Sequence, residues 1–255
     1  MQLALNPAIA AAYRKFSQKA RVLTEKWGEE NLYCLACPSD NLSPTRKGAK
    51  VIDFTCPECD EQYQLKSKIH PFGDCVVDSA YRPKINAISE GTIPNFIFLQ
   101  YNPTLWIVQN LFLVPKHFIS KSIIQKRKPL RKTARRAGWV GSNILLGNLP
   151  VDARISIVEN GLEIPKALVR DSWNRFLFLR EQSIYSRGWT ADVLACVRRL
   201  DKETFTLADI YVFEDRLARL HPMNKNIRPK IRQQLQVLRD NGIVEFRGKG
   251  IYRVI

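Results

Sequence analysis

The chain has 255 residues, 40 Lys and Arg against 24 Asp and Glu, a net charge of +16, 45% hydrophobic residues and six Cys. That length and apolar content exclude a disordered tail and leave room for two modest domains, each with its own core. No apolar run approaches the roughly 18 residues needed to cross a bilayer, so a membrane partner is not expected, whereas the positive excess points to a polyanion, most simply nucleic acid.

The first segment, 3–13, is broken by Asn6 and Pro7 and lacks a basic lead, which makes it a poor signal peptide. A cytoplasmic, DNA-associated protein is expected, with its Cys as thiols or metal ligands rather than disulfides. Residues 7–27 place Ile9, Tyr13, Phe16, Ala20, Leu23 and Trp27 at helical spacing. Two short strand-like runs follow, 51–55 and 62–66, each preceded by a CxxC pair. Residues 76–89 read as a helix. The apolar, β-branched and aromatic runs 96–101 and 105–114 read as buried strands meeting at the Asn102-Pro103 turn, and 153–158 as one more strand. Residues 167–180 read as the helix that closes the first domain. Beyond Ser186 the pattern changes to three helices, 189–200, 206–220 and 226–239, and a hairpin, 243–247 with 251–254. Thr206 and Asp209 give the second helix a capping-box-like start. Asn241 and Gly242 stop the third. Three helices and a hairpin within about 70 residues is the layout of a winged helix-turn-helix. The expected fold is therefore mixed α/β over 1–182, followed by a winged helix over 183–255. A plain helical bundle with a hairpin is the alternative.

The charge is concentrated. Residues 121–140 hold eight Lys and Arg and no acid, and residues 225–255 hold eight against two acids, so these tracts carry +14 of the +16. A solvated face is the bland reading. Grouped Arg with aromatic neighbours favours two nucleic-acid surfaces.

Cys34-x-x-Cys37 and Cys56-x-x-Cys59 are separated by 18 residues. Two such turns supply four thiolates to a tetrahedral Zn²⁺, which leaves no open coordination position and makes the ion structural. Free thiols or a redox CxxC are the alternatives, and two matched pairs disfavour both. Cys75 and Cys196 read as ordinary buried residues.

Asp53 lies in the first short strand, and Gln64, Leu65 and Lys66 in the second. Strand alternation points Gln64 and Lys66 to one side. If the strands pair through the Cys56–Cys59 turn, Asp53, Gln64 and Lys66 converge. Such a set suits metal-assisted phosphodiester hydrolysis: Asp53, the Gln64 oxygen and the Leu65 carbonyl hold Mg²⁺, and Lys66 positions or deprotonates the water. Taken alone the motif is weak, and an exposed polar hairpin is the bland alternative.

The stretches SQKAR at 17–21, VIDFTC and QYQLKSK within 51–68, TARRAGWVGSN at 133–143, SRGWT at 186–190 and IRQQLQVLRDNGIVEFRGKGIYR at 231–253 carry a resemblance. With the paired CxxC turns, they make the chain similar, nearly end to end, to the DpnI-type methyl-directed restriction endonucleases. The resemblance implies a PD-(D/E)xK nuclease domain with a zinc site and a C-terminal winged helix that also reads methylated DNA. It further implies Mg²⁺-dependent cleavage of duplex DNA at GATC carrying N6-methyladenine, by a chain expected to be a monomer. One position departs from the family pattern: Gln64 stands where that pattern has Glu. Gln offers an oxygen but no charge, so metal affinity should fall. Of the nearest acids, Glu61 falls on the opposite face by alternation and Asp60 sits close to the Cys turn.

For DNA reading, Asn226, Arg228, Arg232, Gln233 and Gln234 on the third C-terminal helix are the candidate major-groove contacts, with Arg247 and Lys249 of the wing on phosphates. Trp189 is a candidate contact to the methyl group, against a core role. Arg135, Arg136 and Trp139, between Gly138 and Gly141, form the candidate contact of the first domain. His70, His117 and His221 show no ligand spacing. A zinc-stabilised reader that binds methylated DNA without cutting is the alternative to an enzyme, and a general zinc-ribbon transcription factor is a third reading.

Overall fold

The computed structural model describes residues 1–45 and 52–255; the part of the first predicted strand at Val51 lies outside them. A short 3-10 turn at Pro7–Ala10 precedes helix α1 (Phe16–Asn31). The single helix expected over 7–27 is thus a turn and a longer helix, because the Tyr13–Lys15 segment leaves the helical path before α1 begins. Then come β1 (Ser43–Pro44), β2 (Phe54–Thr55), β3 (Gln62–Lys68), β4 (Val76–Ala80), α2 (Tyr81–Glu90), β5 (Asn95–Asn102) and β6 (Ile107–Val114). After them lie β7 (Ile124–Lys126), β8 (Gly141–Ile144), β9 (Ile155–Glu159), β10 (Leu162–Glu163), α3 (Lys166–Asn174) and α4 (Phe178–Glu181). The C-terminal part holds α5 (Ile184–Arg199), β11 (Thr204–Thr206), α6 (Leu207–Tyr211), α7 (Glu214–Leu220), α8 (Ile227–Asp240), β12 (Val244–Gly248) and β13 (Ile251–Val254).

The chain divides into two compact units drawn from interleaved segments. The first comprises Met1–Gly73, Thr92–Lys116 and Asp152–Leu177; the second comprises Asp74–Gly91, His117–Val151 and Phe178–Ile255.

The first unit is built on a sheet ordered β1-β2-β3-β5-β6-β9-β10 among the described residues. β2 and β3 are antiparallel, with Phe54 opposite Tyr63, while β3 and β5 run parallel, with Gln64 opposite Phe96. β5 is buried along nearly its whole length, as its mostly apolar sequence requires for a central strand covered on both faces. Leu23, Trp27, Phe54, Tyr63, Ile97, Leu99, Leu111 and Trp173 belong to the core of this unit. Asn95, fully buried, donates to Glu61 Oε2 and the Gln62 carbonyl at 3.0 Å and accepts from the Lys116 N–H at 2.8 Å, tying the start of β5 to β3 and to the end of β6.

The second unit holds two small sheets, ordered β4-β8-β7 and β11-β13-β12. Residues 76–89 do not form one helix. Val76, Val77 and Asp78 pair with Ile144, Asn143 and Ser142 of β8, and the helix begins only at Tyr81. The β-branched Val-Val start favours extended backbone once a partner strand exists, and Pro83 fits the first helical turn, where its missing N–H costs nothing. The expectation over 206–220 also resolves further, into β11, α6 and α7. Thr206 caps α6 as expected: its hydroxyl accepts from the Asp209 N–H while Asp209 accepts from the Thr206 N–H. β11 pairs with β13, so the hairpin is widened to three strands. Helix α8 buries Ile231, Leu235 and Leu238 and turns Arg228, Arg232 and Gln233 outward. Here helices α5 to α8 and the strands beside them make the helix-turn-helix with its wing. No helix of the described residues is long and apolar enough to cross a membrane.

Candidate functional site

The two CxxC turns meet. The sulfurs of Cys34, Cys37, Cys56 and Cys59 all lie within 4.8 Å of one another, with Cys34 to Cys59 at 3.6 Å and Cys37 to Cys56 at 3.5 Å. A tetrahedron with metal–sulfur bonds of about 2.3 Å has edges of about 3.8 Å, so the four thiols fit Zn²⁺. Their backbone is held locally: the Cys34 N–H donates to the Ser39 carbonyl, and the Cys56 N–H to the Glu61 carbonyl. Asp60 closes the second turn in a left-handed conformation, φ 58°. Burial works against ionisation of the Cys56 thiol, but backbone hydrogen bonds from Cys59 and Glu58 pull its pKa down to about 7, which favours the thiolate a metal needs. Arg170 of α3 donates to the Cys34 and Ser39 carbonyls and steadies the first turn. The fully buried Tyr63 of β3 places its hydroxyl 3.1 Å from Cys34 Sγ, so the cluster is bonded to the strand that carries Gln64. Cys196 is buried and its thiol is pushed up to about 12 by desolvation, whereas Cys75 is exposed rather than buried as expected.

The structure sets Asp53, just before β2, against β3, the strand that carries Gln64, Leu65 and Lys66. The Asp53 N–H donates to the Tyr63 carbonyl at 2.9 Å, continuing the ladder by one residue. The Asp53 side chain then turns back, and its Oδ2 accepts from the Leu65 N–H at 2.7 Å. Desolvation raises the Asp53 pKa, and the Leu65 hydrogen bond and the charges of Lys66 and Arg21 act against that rise. Gln64 is 9% exposed. Lys66 Nζ lies 5.9 Å from the Phe96 ring centre. The two nearby acids weighed as substitutes do not join this group. Glu61 is buried and committed to Lys116 at 2.9 Å and to Asn95, and Asp60 forms the Cys turn. Sequence reasoning missed Arg21 and Glu25 of α1, whose charges act on or respond to Asp53. Their signal was present as a pair four residues apart on a predicted helix, but nothing local says which way that face points.

The DNA-reading candidates divide. Asn226, Arg228, Arg232 and Gln233 are exposed on or just before α8. Arg228 pairs with Glu214 at 2.7 Å and lies over the Tyr211 ring, and Arg232 donates to the Tyr211 hydroxyl at 3.2 Å, so both guanidinium groups are held in place. Two expectations are corrected. Gln234 is 2% exposed and accepts from the Thr190 hydroxyl at 2.7 Å, so it locks α8 to α5 instead of facing a groove. Trp189 is fully buried and stacks on His221 at 3.8 Å; it is core. Its ring position follows from α5 being the central helix of this unit, buried from Gly188 to Val197. His221 also faces Asp192 at 2.8 Å, and Asp192 accepts from Ser122. Arg247 and Lys249 are exposed in the wing, Arg247 paired with Glu245.

Arg135 and Arg136 are exposed and Trp139 half-buried in the loop between β7 and β8. The loop is tied across its neck by Leu130 N–H to Trp139 carbonyl and Arg127 N–H to Gly141 carbonyl. The Arg136 guanidinium lies 4.8 Å from the Trp139 ring centre. The same ring lies over Gly141, where a Cβ would meet it at 2.8 Å, so only Gly lets it settle there. This loop belongs to the second unit, as does the winged helix. That unit holds 25 Lys and Arg against 12 Asp and Glu, +13 of the total +16. Both basic tracts therefore share one compact unit, while Asp53, Gln64 and Lys66 lie in the nearly neutral other.

Fold and site define a mixed α/β protein with a four-Cys centre that fits zinc and a helix-turn-helix domain suited to DNA. Residues 1–182 match the family model of the Dam-replacing family, and residues 185–254 that of the Dam-replacing HTH domain. The chain belongs to the Dam-replacing family, and the DpnI-type resemblance holds across both of its parts. Membership supports a methylation-dependent restriction enzyme acting on DNA.

Proposed function

We propose that the chain is a Mg²⁺-dependent endonuclease that cuts duplex DNA at GATC sites carrying N6-methyladenine. Residues 1–182 act as a PD-(D/E)xK nuclease domain and 183–255 as a winged helix, working as a monomer. The observation that carries the reading is the Asp53 carboxylate drawn onto β3 at 2.7 Å from the Leu65 N–H, beside Gln64 and Lys66. Asp53, the Gln64 side-chain oxygen and the Leu65 carbonyl would hold the cation; all are the hard oxygen donors that Mg²⁺ prefers. When bound, Mg²⁺ supplies Lewis-acid stabilisation of charge on the phosphate and lowers the pKa of water. Lys66 orients the attacking water and offsets negative charge as the bond to phosphorus forms. Asn226, Arg228, Arg232 and Gln233 read bases, Arg247 and Lys249 grip phosphates, and Arg135, Arg136 and Trp139 form a second contact.

Incubation of fully methylated and unmethylated plasmid with Mg²⁺ tests this. Only the methylated plasmid should be cut, and Lys66→Ala should abolish cutting. Equal cutting of both, or undiminished cutting by Lys66→Ala, refutes the proposal. Neutral Gln64 favours a second reading, a methylated-DNA reader that does not cut. That reading requires tight methylation-dependent binding with no cleavage at any Mg²⁺ concentration.

A further inference from the structure

We propose that Tyr211 is the positioning residue for base reading by helix α8: it aims the Arg228 and Arg232 guanidinium groups and so sets the discrimination at the outer G·C pairs of the site. The inference rests on the base-reading role given to α8 above. Arg grips guanine O6 and N7 through two parallel N–H donors, and that grip discriminates only when the guanidinium is aimed at the base edge.

Arg228 and Arg232 are four residues apart on α8, so they rise from one face of the helix. Tyr211, the last residue of α6, engages both with different parts of one side chain. The Arg228 guanidinium carbon lies 5.1 Å from the centre of its ring, and its hydroxyl accepts from Arg232 Nη1 at 3.2 Å. Tyr211 is itself on a fixed support. Thr206 and Asp209 cap α6, the Leu207 N–H donates to the Gly250 carbonyl of the wing turn at 3.0 Å, and the neighbouring Ile210 is fully buried. Helix α8 is anchored in turn by the buried Ile231 and Leu235. The core therefore holds both helices, and the Arg side chains are what the ring has to orient. The contacts also select the edge that each Arg presents. Glu214 Oε2 accepts from Arg228 Nε at 2.7 Å, which leaves the two terminal amino groups for an end-on grip. Tyr211 takes Nη1 of Arg232, which leaves the Nε and Nη2 side edge for a second grip. Each edge keeps the two parallel donors that a guanine needs. The Arg228–Glu214 pair is 58% and 35% exposed, a weak restraint by itself, and the Tyr211 side chain is the support that both Arg share.

Binding of the full chain to labelled duplexes without divalent cation, read by fluorescence anisotropy, tests this. One duplex carries methylated GATC; in the other, A·T pairs replace the two outer G·C pairs and the methyl groups stay. Tyr211→Ala should cut the affinity ratio between them roughly tenfold, through weaker binding to GATC. The salt dependence of binding should not change, because no charge has been removed. Tyr211→Phe keeps the ring beside Arg228 and loses the bond to Arg232, so its ratio should fall by a smaller factor. A parental ratio in both variants, or an equal loss of affinity for both duplexes, overturns the role of Tyr211. If Tyr211→Ala does not melt cooperatively, Tyr211→Phe decides alone, and a parental ratio there refutes the proposal. Arg228→Ala and Arg232→Ala separate the two levels. If either lowers the ratio while the Tyr211 variants do not, base reading by α8 stands without Tyr211; if neither lowers it, the base reading falls and this inference with it.

Discussion

Replacing Gly28 by Ala tests whether α1 must touch the strand that carries Asp53. The added Cβ would stand 2.7 Å from Phe54 Cζ, 3.1 Å from Phe54 Cε2 and 3.1 Å from Leu32 Cδ1. Ordinary carbon contacts begin near 3.5 Å, so the ring must move by several tenths of an ångström. Phe54 is 1% exposed and has nowhere to go without displacing Tyr63 or Trp27 in the same core. Overpacking of this kind costs about 1–3 kcal/mol. Against it stands the better helix propensity of Ala, worth about 1 kcal/mol in a helix interior. The balance is a loss of about 1 kcal/mol, or roughly 2–4 °C in melting temperature for a chain of this size. Displacement of Phe54 also moves Asp53, so cleavage should fall by more than stability does. Thermal unfolding and initial cleavage rates measured on the same preparation check both. A Gly28→Ala protein that melts higher than its parent would show that the helix does not press on Phe54, and the account of how α1 meets β2 would fail.

Three further outcomes follow from particular contacts. Stripping the four-Cys centre of its metal should unravel the β2–β3 connection, since Cys56 and Cys59 form that turn and Tyr63 is bonded to Cys34; metal analysis should find one zinc per chain, and chelation should abolish cleavage and lower the first melting transition. Lys84 and Asp78 form an ion pair at 2.7 Å with both side chains almost fully buried. Lys84→Met should cost about 3–5 kcal/mol by stranding a charge, and Asp78→Leu added to it should recover much of that, as read from denaturant midpoints. Lys202 and then the Thr206 hydroxyl and N–H hold the Asp209 carboxyl well below the usual carboxylate range. Its folded pKa is depressed, so its stabilising contribution is complete above the ordinary Asp value and disappears as pH falls through the folded one. Asp209→Asn should therefore remove part of the acid sensitivity of helix α6, seen as a smaller difference in melting temperature between pH 7 and pH 3.

The arrangement of the site bears on how charge is used. Of the +16, +13 lies in one compact unit, while Asp53, Gln64 and Lys66 lie in the other. The loop of Arg135, Arg136 and Trp139 is neck-tied and stacked, and the Arg228 and Arg232 side chains are steadied by Tyr211 and Glu214. Side chains fixed before binding lose less entropy when they meet a phosphate or a base edge.

Features set by neighbours in sequence were legible without a structure. The two CxxC turns, the Thr206 and Asp209 capping box, the Asn241-Gly242 stop and the hairpin around Gly248 all depend on spacings of two to four residues, and each appears where the sequence puts it. The strands 96–101 and 62–66 were legible because a run dominated by apolar and aromatic residues and a strict alternation leave few other solutions. Decisions that depend on distant partners were not. Val76–Ala80 is a strand because β8, more than sixty residues away, pairs with it. Trp189 and Gln234 have the composition of groove readers, yet tertiary packing turns one onto His221 and the other onto Thr190. Helix α1 meets the strand after Asp53 only because Gly28 leaves room for the Phe54 ring. Local hydrogen bonds and hydrophobic periodicity are properties of a short window, so the sequence alone determined the zinc turns, the central strands and the winged-helix order. Which face of each element is buried depends on what arrives from elsewhere in the chain, and that was decided by the tertiary structure.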